Sequence, residues 1–156
     1  MTLTPARIRW RGSQPYAEDY ADIYFAEDGI AEVTRVFMAP CGLPERAAQR
    51  DITVAELGFG TGLNFAVCAT TLLAETDTRL HFLSFEKHPL THADWQRVGG
   101  HYLSDLPIYA ELIANPPPIL PGWQRRVLAD GRITLSIYHG EVSEGLADLT
   151  ARQTAR

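Results

Sequence analysis

From residue 52 onward the chain alternates short apolar runs with longer mixed ones. Ile52–Leu57 (ITVAEL) and Leu80–Phe85 (LHFLSF) have strand length and strand composition. Leu63–Leu73 is apolar and long enough for a buried helix. Glu86-Lys87 closes the second strand. Pro89 suits the first turn of a helix that runs to about Val98, where Gly99-Gly100 stops it. A further helix is expected over Leu106–Ala114. Trp123–Leu128 and Ile133–Tyr138 flank Ala129-Asp130-Gly131, and an Asp-Gly between two apolar-rich runs signals a hairpin. Val142–Leu149 reads as a last helix. Strand, glycine loop, helix, strand, helix and a further strand-helix unit make the alternation of a parallel α/β sheet with crossovers.

The first ~50 residues follow a different rhythm. In RIRWR, Arg7, Arg9 and Arg11 share one face, and Ile8 and Trp10 share the other. That suits a half-buried strand with a wet arginine face; three charges are a thin footprint for an RNA backbone. Gly12–Pro15 reads as a turn and Ala21–Ala26 as a short extended segment. A helix follows over Ile30–Met38, with Ile30, Val33, Phe37 and Met38 on its inner side. Pro40–Pro44 breaks the chain, and Glu45–Gln49 adds a helical turn. Residues 1–50 are expected to pack as an extension on the core formed by 51–156, because fewer than about 40–60 residues rarely fold alone.

Composition narrows the function classes. The chain has 156 residues, 46% hydrophobic and 21% charged, which suits one packed domain. A net charge of -5 argues against a general nucleic-acid grip, though a local one stays open. Cys41 and Cys68 are far apart and read as reduced thiols of a cytoplasmic protein in preference to a structural disulfide, with Cys68 in the core. No run reaches membrane-spanning length and the N-terminus has no signal core. His88 and His92 share a helix start without a third ligand, so no metal set is assigned. Phe82 and Phe85 are expected in the core.

Chemistry concentrates in Glu56-Leu57-Gly58-Phe59-Gly60-Thr61-Gly62-Leu63-Asn64. A glycine turn from strand to helix brings backbone close to a ligand above the sheet, and the helix start adds unpaired N–H groups. The bland alternative is a tight turn and nothing more. A dinucleotide fingerprint is G-x-G-x-x-G, but here Leu63 stands where its third glycine belongs. The Lys-Ser/Thr of a Walker loop is missing. The run is instead E-x-G-x-G-x-G, similar to the first motif of S-adenosylmethionine-dependent methyltransferases. That ligand has no phosphate and a cationic sulfur, so a carboxylate nearby makes electrostatic sense. Glu86, 24 residues after Gly62, ends the second strand and can accept both ribose hydroxyls. NAD would want the same acid. Glu141, at the end of the third parallel-type strand, is either an adenine neighbour or a solvent-facing strand end.

Longer strings carry a family resemblance. Asp22-Ile23-Tyr24-Phe25, Gly29 to Phe37, Leu43-Pro44-Glu45-Arg46, Glu56 to Phe65, Leu80 to Thr91, Gly131 to Leu135 and His139-Gly140-Glu141-Val142 occur in order. With them the chain resembles the methyltransferase domain of the bacterial MnmC-type enzymes of tRNA 5-methylaminomethyl-2-thiouridine biosynthesis. The resemblance implies a Rossmann-like α/β methyltransferase fold. It also implies methyl transfer from S-adenosylmethionine to the aminomethyl nitrogen of a modified wobble uridine in tRNA. FAD is implied only for a fused or partner oxidoreductase domain. By position, Gly58, Phe59, Gly60, Thr61 and Gly62 would cradle the methionine part, with Glu56 behind them and Asn64 in the first helical turn. Glu86 would take the ribose beside Lys87, Glu141 would approach the adenine, and Tyr24 would wall the methyl group on the substrate side. The family continues with a fourth strand ending in a D-x-W-F-L-D-G-F-type string that supplies the acceptor site, and no such string is present here. The expectation is a C-terminally truncated domain whose first strand is an exposed edge, which holds cofactor weakly and does not turn over alone. No catalytic residue is named. An NAD-type oxidoreductase and a non-catalytic scaffold are the competing readings.

Overall fold

The computed structural model describes residues 3–12, 14–25 and 28–154, with side chains as far as 151. It divides into two sheets. β1 (Ile8–Arg11), β2 (Gln14–Ala17) and β3 (Asp22–Ile23) form a small antiparallel sheet. The arginine face of β1 is wet, as its alternation predicts. Arg7 pairs with Asp19, Arg9 with Glu18 at 2.7 Å, and Arg11 lies over the Tyr16 ring. Trp10 packs under the Arg97 guanidinium, and the Ala6 N–H donates to the Pro89 carbonyl, so this sheet leans on the rest of the chain. The extended segment is shorter than expected, and its last residue, Ala26, lies outside the described residues, as does Ser13 of the turn.

The first helix differs from its reading in an informative way. It begins as α1 (Gly29–Val33), widens to a π-helical turn over Thr34–Met38, and continues as α2 (Ala39–Cys41). Val33 and Met38 are buried, but Phe37 is 50% exposed. A π turn adds residues per revolution, so a 3.6-residue period assigns Phe37 to the wrong side. Pro40 does not break the helix; left-handed Gly42 ends it, and α3 (Leu43–Ala47) follows.

The second sheet is the Rossmann-like core. β4 (Ile52–Ala55), β5 (Leu80–Glu86), β6 (Gly122–Leu128) and β7 (Ile133–His139) lie in the order β4-β5-β7-β6. β4, β5 and β7 run parallel, and β6 and β7 form the expected hairpin through Asp130 and Gly131. Among the described residues β4 is the edge strand next to β5. Ile52, Leu80, Phe82, Ile133, Leu135 and Ile137 face one core, filled from α4 (Leu63–Glu75), α5 (His92–Tyr102) and α6 (Tyr109–Ala114). The opposite face carries Phe85 and Tyr138, on which α7 (Val142–Thr154) sits through Gly145. Phe82 and Phe85 are therefore both buried, on opposite faces.

Two boundaries shift for definite reasons. α5 starts at His92 because Thr91 and Asp94 form a capping box, which outweighs Pro89 as a start signal. It also runs through Gly99 and Gly100. A Cβ on Gly99 would lie 2.3 Å from Ile113 Cδ1, so this glycine admits α6 and does not end the helix. Cys41 and Cys68 are unpaired thiols, and burial pushes Cys68 up to about 12. No helix among the described residues is long and apolar enough to cross a membrane.

Candidate functional site

The glycine loop leaves β4 and bends over the end of β5. Glu56 N–H donates to the Leu83 carbonyl, and the Gly58 and Phe59 N–H groups both donate to the Phe85 carbonyl, at 3.1 and 2.9 Å. Gly58, Gly60 and Gly62 all have positive φ, at 87°, 54° and 71°. The loop thus rises, crosses and drops into α4. No side chain caps α4, so its first-turn N–H groups face outward with the helix dipole behind them.

Glu86, the last residue of β5, ties the loop to its neighbour. Its Oε2 accepts from Gly60 N–H at 2.7 Å and its Oε1 from His88 N–H at 2.7 Å. Each oxygen keeps a further lone pair for a ligand hydroxyl. Burial raises the Glu86 pKa, against the lowering by those two backbone donors.

Glu56 sits behind the loop. Asn64 Nδ2 donates to one of its oxygens at 3.1 Å and Ser84 Oγ to the other at 3.0 Å. Ser84 went unnoticed in the sequence. The available signal was a polar residue on the core-facing side of β5, beside buried Leu80 and Phe82. Burial lifts Glu56 to about 7; the Asn64 and Ser84 donors lower it and the Glu86 charge adds to the rise. With a folded pKa above 4.5, Glu56 contributes stability in full below pH 4.5 and loses it as pH rises through about 7. His81 and His139 work the other way, since burial lowers both below 6.5. The readout is therefore a difference: Glu56→Gln should gain on the wild type in urea midpoint as pH rises from about 5 to about 8.

A cleft of about 430 Å³ opens in front of this arrangement, within the range of small-molecule sites. Gly58, Phe59, Gly60, Thr61, Asn64, Glu86, Lys87, Glu141 and Tyr24 all line it. Glu56 and Gly62 do not; they support the loop from behind. Tyr24 lays its ring on Gly60, where an added Cβ would meet it at 3.2 Å. Burial and the Glu86 charge push the Tyr24 hydroxyl up to about 12, so it stays protonated. Among the described residues, Lys87 is the one Lys or Arg side chain on the cleft wall, and it is paired with Glu141 at 2.5 Å. His88 and His92 are not built as a ligand pair: His88 Nδ1 lies 3.0 Å from the Thr4 carbonyl oxygen, and His92 begins α5.

One support was invisible in the sequence. Tyr109 on α6 is fully buried, and its hydroxyl donates to the Thr61 carbonyl at 3.0 Å. No local pattern announces a bond across 48 residues. Tyr109→Phe strands that carbonyl and should cost about 1–3 kcal/mol, read from the shift of the urea midpoint.

No protein-family model matches the chain. Among curated proteins it is similar to the tRNA 5-methylaminomethyl-2-thiouridine biosynthesis bifunctional protein MnmC of Thiobacillus denitrificans. That match is 41% identical over 160 residues, covering 99% of this chain and 26% of that protein. The protein of the same name from Stutzerimonas stutzeri is 42% identical over 94% of this chain and 24% of its own length. The chain thus spans about a quarter of the relatives it matches. Among solved structures, MnmC2 of Aquifex aeolicus superposes with a TM-score of 0.60 at 20% identity, over 90% of this chain and 44% of the other. That likeness shows the shared fold.

Proposed function

We propose that this chain, which resembles a quarter-length part of the MnmC bifunctional proteins over nearly its whole length, carries the cofactor side of a methyltransferase. It would use S-adenosylmethionine and act on the aminomethyl nitrogen of a modified wobble uridine in tRNA. The observation that carries this reading is the tie between Glu86 and Gly60 beside an uncapped α4, in a cleft where Lys87 is already paired with Glu141. A pyrophosphate would meet two carboxylates there, Glu86 and Glu141, and one paired Lys. A cationic sulfur with a ribose and an amino-acid tail meets the opposite charge balance. Leu63, 6% exposed, also fills the place where a dinucleotide loop needs glycine.

In this reading Glu86 holds the ribose hydroxyls, and the loop and first turn of α4 hold the amino-acid tail. Glu56, clamped by Asn64 and Ser84, fixes the loop from behind. Tyr24 closes the side above Gly60. When bound, S-adenosylmethionine supplies a methyl group on a cationic sulfur to an amine nitrogen, which then sheds a proton. The chain's part is alignment, since holding two reactants in an attack geometry can lower a barrier by about 7–11 kcal/mol. Any FAD belongs to a separate oxidoreductase unit that prepares the amine.

Titration of the chain with S-adenosylmethionine and with NADH tests the cofactor side of this reading. Saturable binding of S-adenosylmethionine without NADH binding supports it. NADH binding in its place would overturn it in favour of an oxidoreductase.

A further inference from the structure

A small hollow of about 10 Å³ shares Phe59, Gly60 and Glu86 with the cleft, and His139 and Trp95 also line it. His139 ends β7 as Glu86 ends β5, and the two are register partners, so their side chains leave the sheet on the same face. The imidazole is 3% exposed, and its Nδ1 has no hydrogen-bond partner among the described residues. We infer that one water occupies this hollow and joins His139 Nδ1 to the Glu86–Gly60 tie, which makes His139 a positioning residue for the acid that faces the cleft. The inference rests on the proposed function only for what Glu86 binds.

Size and polarity agree on the occupant. The space matches one water sphere, and a buried water needs at least two polar partners. Nδ1 is one, and the oxygens of Glu86 and Gly60 on the same wall supply the other. A buried ring nitrogen left bare costs free energy, whereas water both donates and accepts and so serves Nδ1 in either tautomer. Burial lowers the His139 pKa below 6.5, against a raising by the Leu120 and Pro118 carbonyls. The ring is therefore neutral at about pH 7.5 and brings no charge up to Glu86. Gly60 transmits the effect. Its N–H donates to Glu86 at 2.7 Å while its backbone stands at φ 54°, so a shift below the tie moves both the loop and the carboxylate. The sequence offered no hint of this, because His139 lies 53 residues from Glu86 and 79 from Gly60.

Two measurements on the whole chain test the inference. A high-resolution crystal structure should show an ordered water within about 3.2 Å of His139 Nδ1 and of a Glu86 or Gly60 oxygen. A dry hollow, or Nδ1 bonded directly to a protein atom, overturns the inference. The second measurement is calorimetric titration with S-adenosylmethionine of the wild type, His139→Leu and His139→Asn. Leucine removes the polar atom and should weaken binding about 3- to 10-fold, the worth of one neutral hydrogen bond. Asparagine sets an amide where Nδ1 stands and should restore most of that loss, even though it fills the core less well and melts lower than the leucine variant. A purely structural His139 would make affinity follow melting temperature instead. Wild-type affinity in His139→Leu, or equal weakening in both variants, overturns the inference. Failure of the wild type to bind S-adenosylmethionine counts against the proposed methyl transfer, and the water in the crystal still decides the role of His139 beneath the tie.

Discussion

Glu86→Ala should weaken S-adenosylmethionine binding at least about tenfold, and about 100-fold when both ribose hydroxyls lose their acceptor. Hydrogen bonds to a charged group are worth about 1.5–3 kcal/mol each, and one carboxylate serves both hydroxyls. The substitution also frees Gly60 and His88 N–H, each bonded to Glu86 at 2.7 Å, so the loop loses its tie to β5. Glu86→Gln separates the two effects. A carboxamide keeps one acceptor oxygen and puts an N–H₂ where the second was, so one of the two backbone ties is lost and an intermediate affinity is expected. Lys87→Ala should do little by comparison, because the Lys87–Glu141 pair is largely in solvent. Calorimetric titration of the four proteins gives the order directly.

Gly62→Ala should be the most damaging single change in the loop for stability. At φ 71° an added Cβ strains the backbone, by about 1–2 kcal/mol. It would also lie 2.9 and 3.1 Å from two Phe59 ring atoms and 3.4 Å from Trp95 Cη2. Phe59 is buried against Phe65 and Trp95 and has little room to give, so overpacking adds about 1–3 kcal/mol. The total of about 2–5 kcal/mol lowers the melting temperature by about 5–15 °C at this size. Gly58→Ala is the control. Its φ of 87° carries the same kind of strain, but nothing lies within 4 Å of the added atom. It should cost only about 1–2 kcal/mol. Scanning calorimetry of the two variants separates crowding from strain.

The parts of the fold that were legible in sequence are those where a local pattern and the tertiary answer agree. The runs ITVAEL and LHFLSF became β4 and β5, and Asp130-Gly131 became the hairpin turn with Asp130 at φ 52° and Gly131 at 90°. The parts that were not legible depend on partners distant in sequence. Gly99 read as a stop because glycine is a poor helix former, whereas its true neighbour is Ile113 on another helix. Phe37 read as inner because the π turn changes the period. The site behaved the same way. Motif spacing identified the loop and Glu86, and the structure brings them together. Ser84 and Tyr109, which fix Glu56 and Thr61, act across 28 and 48 residues and carry no motif.

The expectation from sequence is weak cofactor binding, and the loop, Glu86 and α4 line one cleft. Selectivity therefore tests the central claim more directly than absolute affinity does. The decisive measurement is a paired calorimetric titration of the wild type and Glu86→Ala with S-adenosylmethionine and with NADH. The expected result is a saturable heat with S-adenosylmethionine in the wild type, sharply reduced in Glu86→Ala, and none with NADH. Saturable NADH binding, or S-adenosylmethionine binding indifferent to Glu86, would contradict it.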